Sequence, residues 1–268
     1  MANQQSSLVT TLRSAFVVIV IILAGISGFL IFKLVLGNGS HFKLGDNHNE
    51  PIDFLGRMYT GGPIVPILIA TAIVMLTVSI ERIISIILAT GRGNMSSFVS
   101  KIKGHLESGN VAAAKAECNR QKGSVGNVVL AGLIKYENME NEPTLNRDQK
   151  VLAIQKELEE ATSLELPGLE RNLVILSTIA SVAVLLGLFG TVLGMIRAFG
   201  ALATQGAPDA AALANGISEA LFNTALGIGT STLAIIFYNT FTTIIDRITY
   251  NIDESGFIIS QTFASRNK

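Results

Sequence analysis

The sequence predicts an all-α membrane protein: four transmembrane helices extended by a cytoplasmic helical domain. Three observations carry that prediction. Hydrophobic residues make up 49% of the 268 residues and charged residues only 15%, against roughly 25% charged in a soluble domain. The apolar residues gather into four blocks, each long enough for the roughly 20 residues that a bilayer crossing needs. The remainder follows the helical period, and no stretch shows the strict alternation of a strand.

The elements follow in chain order. Segment 1–37 holds the first block, AFVVIVIILAGISGFLIFKLVL at 15–36. Its apolar run exceeds the roughly 7–15 residues of a signal-peptide core. Lys33 can snorkel to the interface, so the block reads as a retained helix. Residues 38–61 form a polar loop carrying His41, Asp46, His48, Glu50 and Asp53. The second span, 62–90, ends with Glu81 and Arg82 towards its far side. Residues 91–172 read as a helical domain. SSFVSKIKGHLESG and NVAAAKAECNRQ are amphipathic and separated by Gly109 and Asn110. A charged helix, RDQKVLAIQKELEEATSLEL, then leads to Pro167, and NMENEPTL before it reads as a flexible turn. The third span is 173–200, a turn occupies 201–215, the fourth span is 216–246, and 247–268 is a tail.

Basic residues set the orientation. Segment 91–172 is rich in Lys and Arg, and the tail carries Arg247, Arg266 and Lys268, whereas 201–215 has neither Lys nor Arg. The positive-inside bias places 91–172 and the tail in the cytoplasm and puts 38–61 and 201–215 outside.

Composition also excludes functions. Lys+Arg and Asp+Glu are both 20, so no basic field points to nucleic acid. A single cysteine, Cys118, leaves no intrachain disulfide framework and packs in a helix face. There is no nucleotide loop, zinc spacing or nucleophile triad, so neither a cofactor, a metal nor an enzyme is expected. The order of Gly187, Gly190 and Gly194 is wrong for a dinucleotide fingerprint, and no strand precedes them. His41 and His48 read as solvated loop residues.

The third span places Ala183, Gly187, Gly190 (or Thr191), Gly194 and Ala198 along one stripe at steps of three and four. The fourth puts Ala220, Thr224, Gly227 and Ser231 on one face. Within lipid, small residues let helix backbones approach closely. The polar residues ask for more. Carboxylates in a membrane segment cost about 2.5–3.5 kcal/mol at the helix centre and usually face a bundle interior or water. Glu219 lies near the outer end of its span, where an interfacial position is the simplest reading. Thr191 lies deeper. Thr224, five residues past Glu219, sits about 140° around the helix from it. Hydroxyls and a carboxylate cannot do redox chemistry. They suit a narrow polar path, a held water, or a charged group brought by a partner.

GLFGTVLGMIRAF followed by GISEALFNTALGIG resembles the MotA/TolQ/ExbB proton-channel family, in its ExbB/TolQ branch and most like ExbB. GGPIVPILIATAIVMLTVSIERIISI is similar to the family's first conserved helix, and GNVAAAKAECNRQKGSVGNVVLAGL to its cytoplasmic helical region. The resemblance implies a homo-oligomeric ring, a pentamer, in membrane lipid of the bacterial inner membrane. The ring would surround a single-span partner of ExbD/TolR type whose aspartate accepts protons. Proton flow would then drive motion delivered through a TonB-type protein to outer-membrane transport. By the same resemblance Thr191 and Thr224 are paired pore threonines and Glu219 is the intramembrane carboxylate. Other outputs of the same machine are a TolQ-like motor or a gliding or flagellar stator. The rivals outside that class are a structural scaffold and a solute channel working alone. The chain departs from the family pattern at Val184 and Leu233, where proline is common, and in its extra first helix.

Overall fold

The structure, a computed structural model, describes residues 2–43, 51–203 and 210–266, with side-chain surroundings given for 16–43, 51–200 and 210–266. Asp46, His48, Glu50, Lys268 and part of the 201–215 turn lie outside the described residues. The described chain is helical with no strand beyond one isolated bridge, Phe42 to Pro51. Among the described residues, four helices are long and apolar enough to cross a membrane, within Phe16–Leu36, Gly62–Glu107, Arg147–Gly200 and Ala210–Arg266. The protein is accordingly a multi-pass membrane protein. The chain divides into two compact units, Met1–Ile80 with Val174–Tyr238, and Glu81–Leu173 with Asn239–Lys268.

The first unit holds helix α1 (Ala2–Leu30), which continues as a π-helical turn over Ile31–Leu36. It also holds α2 (Phe54–Tyr59), a 3₁₀ turn at Gly62–Ile64 and most of α3 (Val65–Thr90). Most of α8 (Leu173–Ala203) and the first half of α9 (Ala210–Arg266) complete it. The segment expected as a polar loop contains α2. Asp53 caps that helix by accepting from the Gly56 amide at 2.9 Å, and its second oxygen pairs with His41 Nδ1 at 2.6 Å. The Gly56 amide first, and His41 after it, hold the Asp53 carboxyl below its ordinary range. Tyr59 stacks on Phe32 at 4.6 Å and meets Phe42 edge-on at 5.6 Å. Leu34, Leu185, Ile196 and Leu221 are each more than 60% exposed. Water would not tolerate such a surface over whole helices; hydrocarbon does.

The second unit packs α4 (Met95–Glu107), α5 (Val111–Gln121), α6 (Gly123–Glu140) and α7 (Arg147–Glu170) with the last part of α9. Asn94 and Asn110 accept from first-turn amides of α4 and α5, and Asn146 with Gln149 closes a capping box on α7. The core is apolar: Phe98, Ile102, Leu133, Ile154 and Ile259, with Tyr136 edge-on to Phe263 at 4.9 Å. Cys118 is 2% exposed.

Three boundaries differ from the sequence expectation. Helix α7 runs three residues past Pro167 to Glu170. Its last carbonyls, Gly168 and Leu169, accept from the buried Arg82 guanidinium, which is also clamped by Glu81. A charged donor supplied from a distant helix satisfies the groups that usually end a helix. The 138–145 turn is shorter, because α6 extends to Glu140, and Glu142 accepts from the Thr144 amide at 3.1 Å. Helix α9 continues unbroken to Arg266, within the segment expected as a tail. Ile248, Ile252, Ile259 and Phe263 recur there at helical spacing, all buried.

Candidate functional site

Helices α8 and α9 meet along a seam of small residues. A Cβ added at Gly187 would stand 2.9 Å from the Asn223 carbonyl oxygen and 3.2 Å from Gly227 Cα. At Gly194 it would stand 2.8 Å from both the Ala220 nitrogen and the Gly216 oxygen, and at Gly227 2.6 Å from the Ala183 oxygen. Gly216 abuts Ala198 in the same way, at 2.8 Å. Real Cβ atoms do not approach that closely, so the two backbones are in direct contact. Ser231 donates across the same seam to the Ala180 carbonyl.

Bringing the backbones together brings two hydroxyls together. Thr191 of α8 and Thr224 of α9 are hydrogen-bonded to each other. The Gly187 and Ala220 carbonyls lie 3.2 and 3.4 Å from Thr191 Oγ1. Each hydroxyl has one proton and two lone pairs. One proton joins the pair and the other can go to a carbonyl, which leaves acceptor capacity free. Both residues are partly exposed. Their surroundings are apolar: Leu188, Val192, Leu221 and Ile228 are each at least 50% exposed on the same two helices. Such a pair can hold a water or pass a proton between neighbours; it has no nucleophile, metal ligand or redox group.

The structure buries Glu219 between its neighbouring helices. Only 4% exposed, it accepts from Arg197 Nη1 of α8 at 2.5 Å. The 3₁₀ turn that begins α3 lies over this pair. Gly62 has φ +77°, and a Cβ there would fall on the Glu219 carboxylate and 2.7 Å from Arg197 Nη1. Glycine meets both demands, the left-handed backbone and the absence of a side chain. One turn along α9, Asn223 is fully buried and donates to the Gly61 carbonyl at 2.9 Å. Its Oδ1 has no partner. Gly190 makes room for it, since a Cβ there would be 2.5 Å from Asn223 Cβ.

The structure therefore brings Thr191 to Thr224 and sends Glu219 elsewhere, as their separation of 140° around the helix requires. Ala183, Gly187, Gly190, Gly194 and Gly227 all lie in the seam. Sequence reasoning did not single out Arg197, Asn223, Gly61 or Gly62. One signal was present for Arg197: it is the lone charge in the third span, as Glu219 is the lone charge in the first six turns of the fourth. Two isolated opposite charges in adjacent apolar helices seek each other.

Residues 125–254 match the MotA/TolQ/ExbB proton channel family. That stretch contains Thr191, Thr224, Glu219 and Arg197. The chain is 31% identical over 181 residues to the Tol-Pal system protein TolQ of Pseudomonas aeruginosa, covering 65% of this chain and 78% of that one. It is 27% identical over 215 residues to a putative biopolymer transport protein ExbB homolog of Methanothermobacter thermautotrophicus, 79% and 71% of the two chains. A shorter match, 43% over 67 residues, joins it to the biopolymer transport protein ExbB of Pseudomonas putida, 25% and 20% of the two chains. With four helices fit to span a bilayer and a threonine pair between two of them, the chain belongs to the MotA/TolQ/ExbB proton channel family, on its ExbB/TolQ branch.

Proposed function

We propose that this protein is the ring subunit of a proton-driven motor in the bacterial inner membrane, assembled as a pentamer around a single-span partner of ExbD/TolR type. The motor is ExbB-like and energises TonB-dependent outer-membrane transport. Residues 91–172 and the end of α9 lie in the cytoplasm, and 38–61 and 201–215 in the periplasm. The observation that carries this reading is the Thr191–Thr224 pair, two hydroxyls in contact inside an apolar helix pair. A buried carboxyl arriving from a partner needs a polar group or water beside it to exchange its proton. The threonines supply both functions, and Glu219, tied to Arg197, stands at the outer end of the same helices. One charge crossing 100 mV is worth about 2.3 kcal/mol, so a large load is met by repeated steps.

Thr→Val keeps the shape and removes the hydroxyl. Losing one hydrogen bond costs about 0.5–1.5 kcal/mol, which leaves the fold intact. The Thr191→Val, Thr224→Val double variant should co-purify with its partner at normal yield and lose proton-gradient-dependent uptake. Full uptake by that variant returns both threonines to helix packing. The P. aeruginosa TolQ relative, matched along most of its length, favours a second output, an envelope-constriction motor of Tol-Pal type. A deletion strain separates the outputs by whether uptake or envelope constriction fails.

A further inference from the structure

In the second unit, which includes the end of α3, the turn after α3 is locked to the turn between α5 and α6. The Arg92 amide donates to the Gln121 carbonyl at 2.7 Å, and Gln121 Nε2 donates back to the Thr90 carbonyl at 3.1 Å. Each turn carries a glycine with positive φ where a side chain has no room. A Cβ at Gly91 would fall on the Lys122 carbonyl, and one at Gly123 on the Ala89 carbonyl. A cleft of about 320 Å³ opens beside this junction. Arg92, Lys101 and Arg120 line it, and Glu117 is the one carboxylate among its described residues. The charges do not cancel. Lys101 holds Glu117 at 2.7 Å and Arg120 reaches it only at 4.0 Å. Arg92 pairs with no carboxylate among the described residues. Three cations against one carboxylate leave an excess of two positive charges.

We propose that this cleft binds the phosphate of an anionic phospholipid head group. Guanidinium groups match phosphate oxygens in geometry as well as charge, because their donors form a rigid fork. The end of α3 brings the lipid within reach. Ile84, Ile87 and Leu88 are each more than 50% exposed and share one face of the helix, an apolar stripe that ends in its last turn. Two helical residues and two residues of turn put Arg92 within about 10 Å of Leu88. The head-group layer outside the hydrocarbon is about 5–8 Å thick on each side, and a long arginine stem covers the difference. The cleft also discriminates between head groups. Its one carboxylate is held by Lys101, so the ammonium of a zwitterionic lipid meets only like charge. The helix terminus nearby adds little. Asn94 already accepts from the Ser96 and Ser97 amides of α4 at 2.9 and 3.4 Å, which leaves the side-chain cations to hold the phosphate.

The full chain, purified in detergent, is titrated with dioctanoyl phosphatidylglycerol, and bound lipid is counted by native mass spectrometry. Arg92→Gln with Arg120→Gln should raise the Kd about 30-fold, roughly fivefold for each charge lost. Both side chains are exposed, so the fold should survive. Arg92→Lys with Arg120→Lys keeps the charge and should retain most of the binding. Arg147→Gln with Lys156→Gln removes the same charge from α7, away from the cleft, and should leave the Kd unchanged. Dioctanoyl phosphatidylethanolamine should bind the unaltered protein at least tenfold more weakly. An unchanged Kd in the Arg92, Arg120 glutamine variant overturns the site. So does equal weakening by the α7 pair, which would mean a diffuse field without a cleft, or equal binding of the two lipids. Inorganic phosphate is the last arm. If it displaces the lipid at equal concentration, the cleft takes free phosphate and the lipid assignment falls. None of these readouts involves proton transport or the orientation of the chain, so the site stands or falls apart from the proposed motor function.

Discussion

Glu219 and Arg197 share their ion pair unequally, the carboxylate side chain 5% exposed and the guanidinium 50%. That asymmetry predicts unequal mutants. Arg197→Gln leaves a carboxylate buried against Gly62 without its counter-charge, a loss on the order of 1–3 kcal/mol. Glu219→Gln leaves an amide that still accepts a hydrogen bond and a guanidinium able to reach solvent, for roughly 1 kcal/mol or less. Thermal unfolding of the purified variants should rank them in that order, with the Arg197→Gln, Glu219→Gln double variant recovering most of the loss. Equal melting of the two single variants would remove the buried carboxylate from the explanation. Cys118 gives a second prediction at this scale. Burial first, and the neighbouring Glu117 charge second, push its thiol up to about 12 from 9.0. The thiolate is the reactive form, so alkylation at pH 8 should fail in the folded protein and proceed in denaturant. Because the folded state keeps the proton longer, this group subtracts stability as pH rises from about 9 towards 12.

The seam between α8 and α9 is where element packing decides the chemistry. Thr191 meets Thr224 only because glycines on both sides of them let the backbones touch. The glycines are not equivalent. A Cβ at Gly190 meets Asn223 at 2.5 Å, whereas one at Gly229 meets nothing within 4 Å. Gly190→Ala should therefore destabilise by about 1–3 kcal/mol, as overpacking does. Gly229→Ala should gain about 0.5–1 kcal/mol from helix propensity alone. Melting temperatures that move in the same direction for both would show that the seam is not tight at Gly190. Arg82 works at the same scale in the other unit. A single buried guanidinium joins α3 to the end of α7, which is how a helix containing Pro167 keeps its last turn.

At the scale of the whole chain, the proposed topology places Ser40 and Asn141 on opposite sides of the membrane. Both residues are exposed, so a cysteine at either is reachable. In a Cys118→Ser background, a membrane-impermeant maleimide should label Ser40→Cys in intact spheroplasts and Asn141→Cys only after permeabilisation. The reverse pattern would invert the orientation drawn from the basic residues. Apolar surface runs along α8 and α9, including Phe189, Phe199 and Ile236, each more than 50% exposed, as membrane-spanning helices require.

The sequence by itself determined the class of protein and the existence of its long helices. Apolar block length, the helical period of 95–121, the Asn caps and the small-residue stripe are local patterns, and each forms where it is written. The Gly-Thr-Val and Glu-Ala-Leu segments were legible for the same reason, as short strings that carry the family resemblance. Only the tertiary structure decided which polar group meets which. Arg197 finds Glu219 across 22 residues, and Asn223 finds Gly61 across 162. Neither meeting follows from a periodicity, because the rotation and register of α8 against α9 are set by every small residue along the seam at once. The same holds for Gly62, whose positive φ and missing side chain make sense only with the Glu219 carboxylate lying over it. A helix dictates its own face, but its neighbour's rotation and register decide what that face touches.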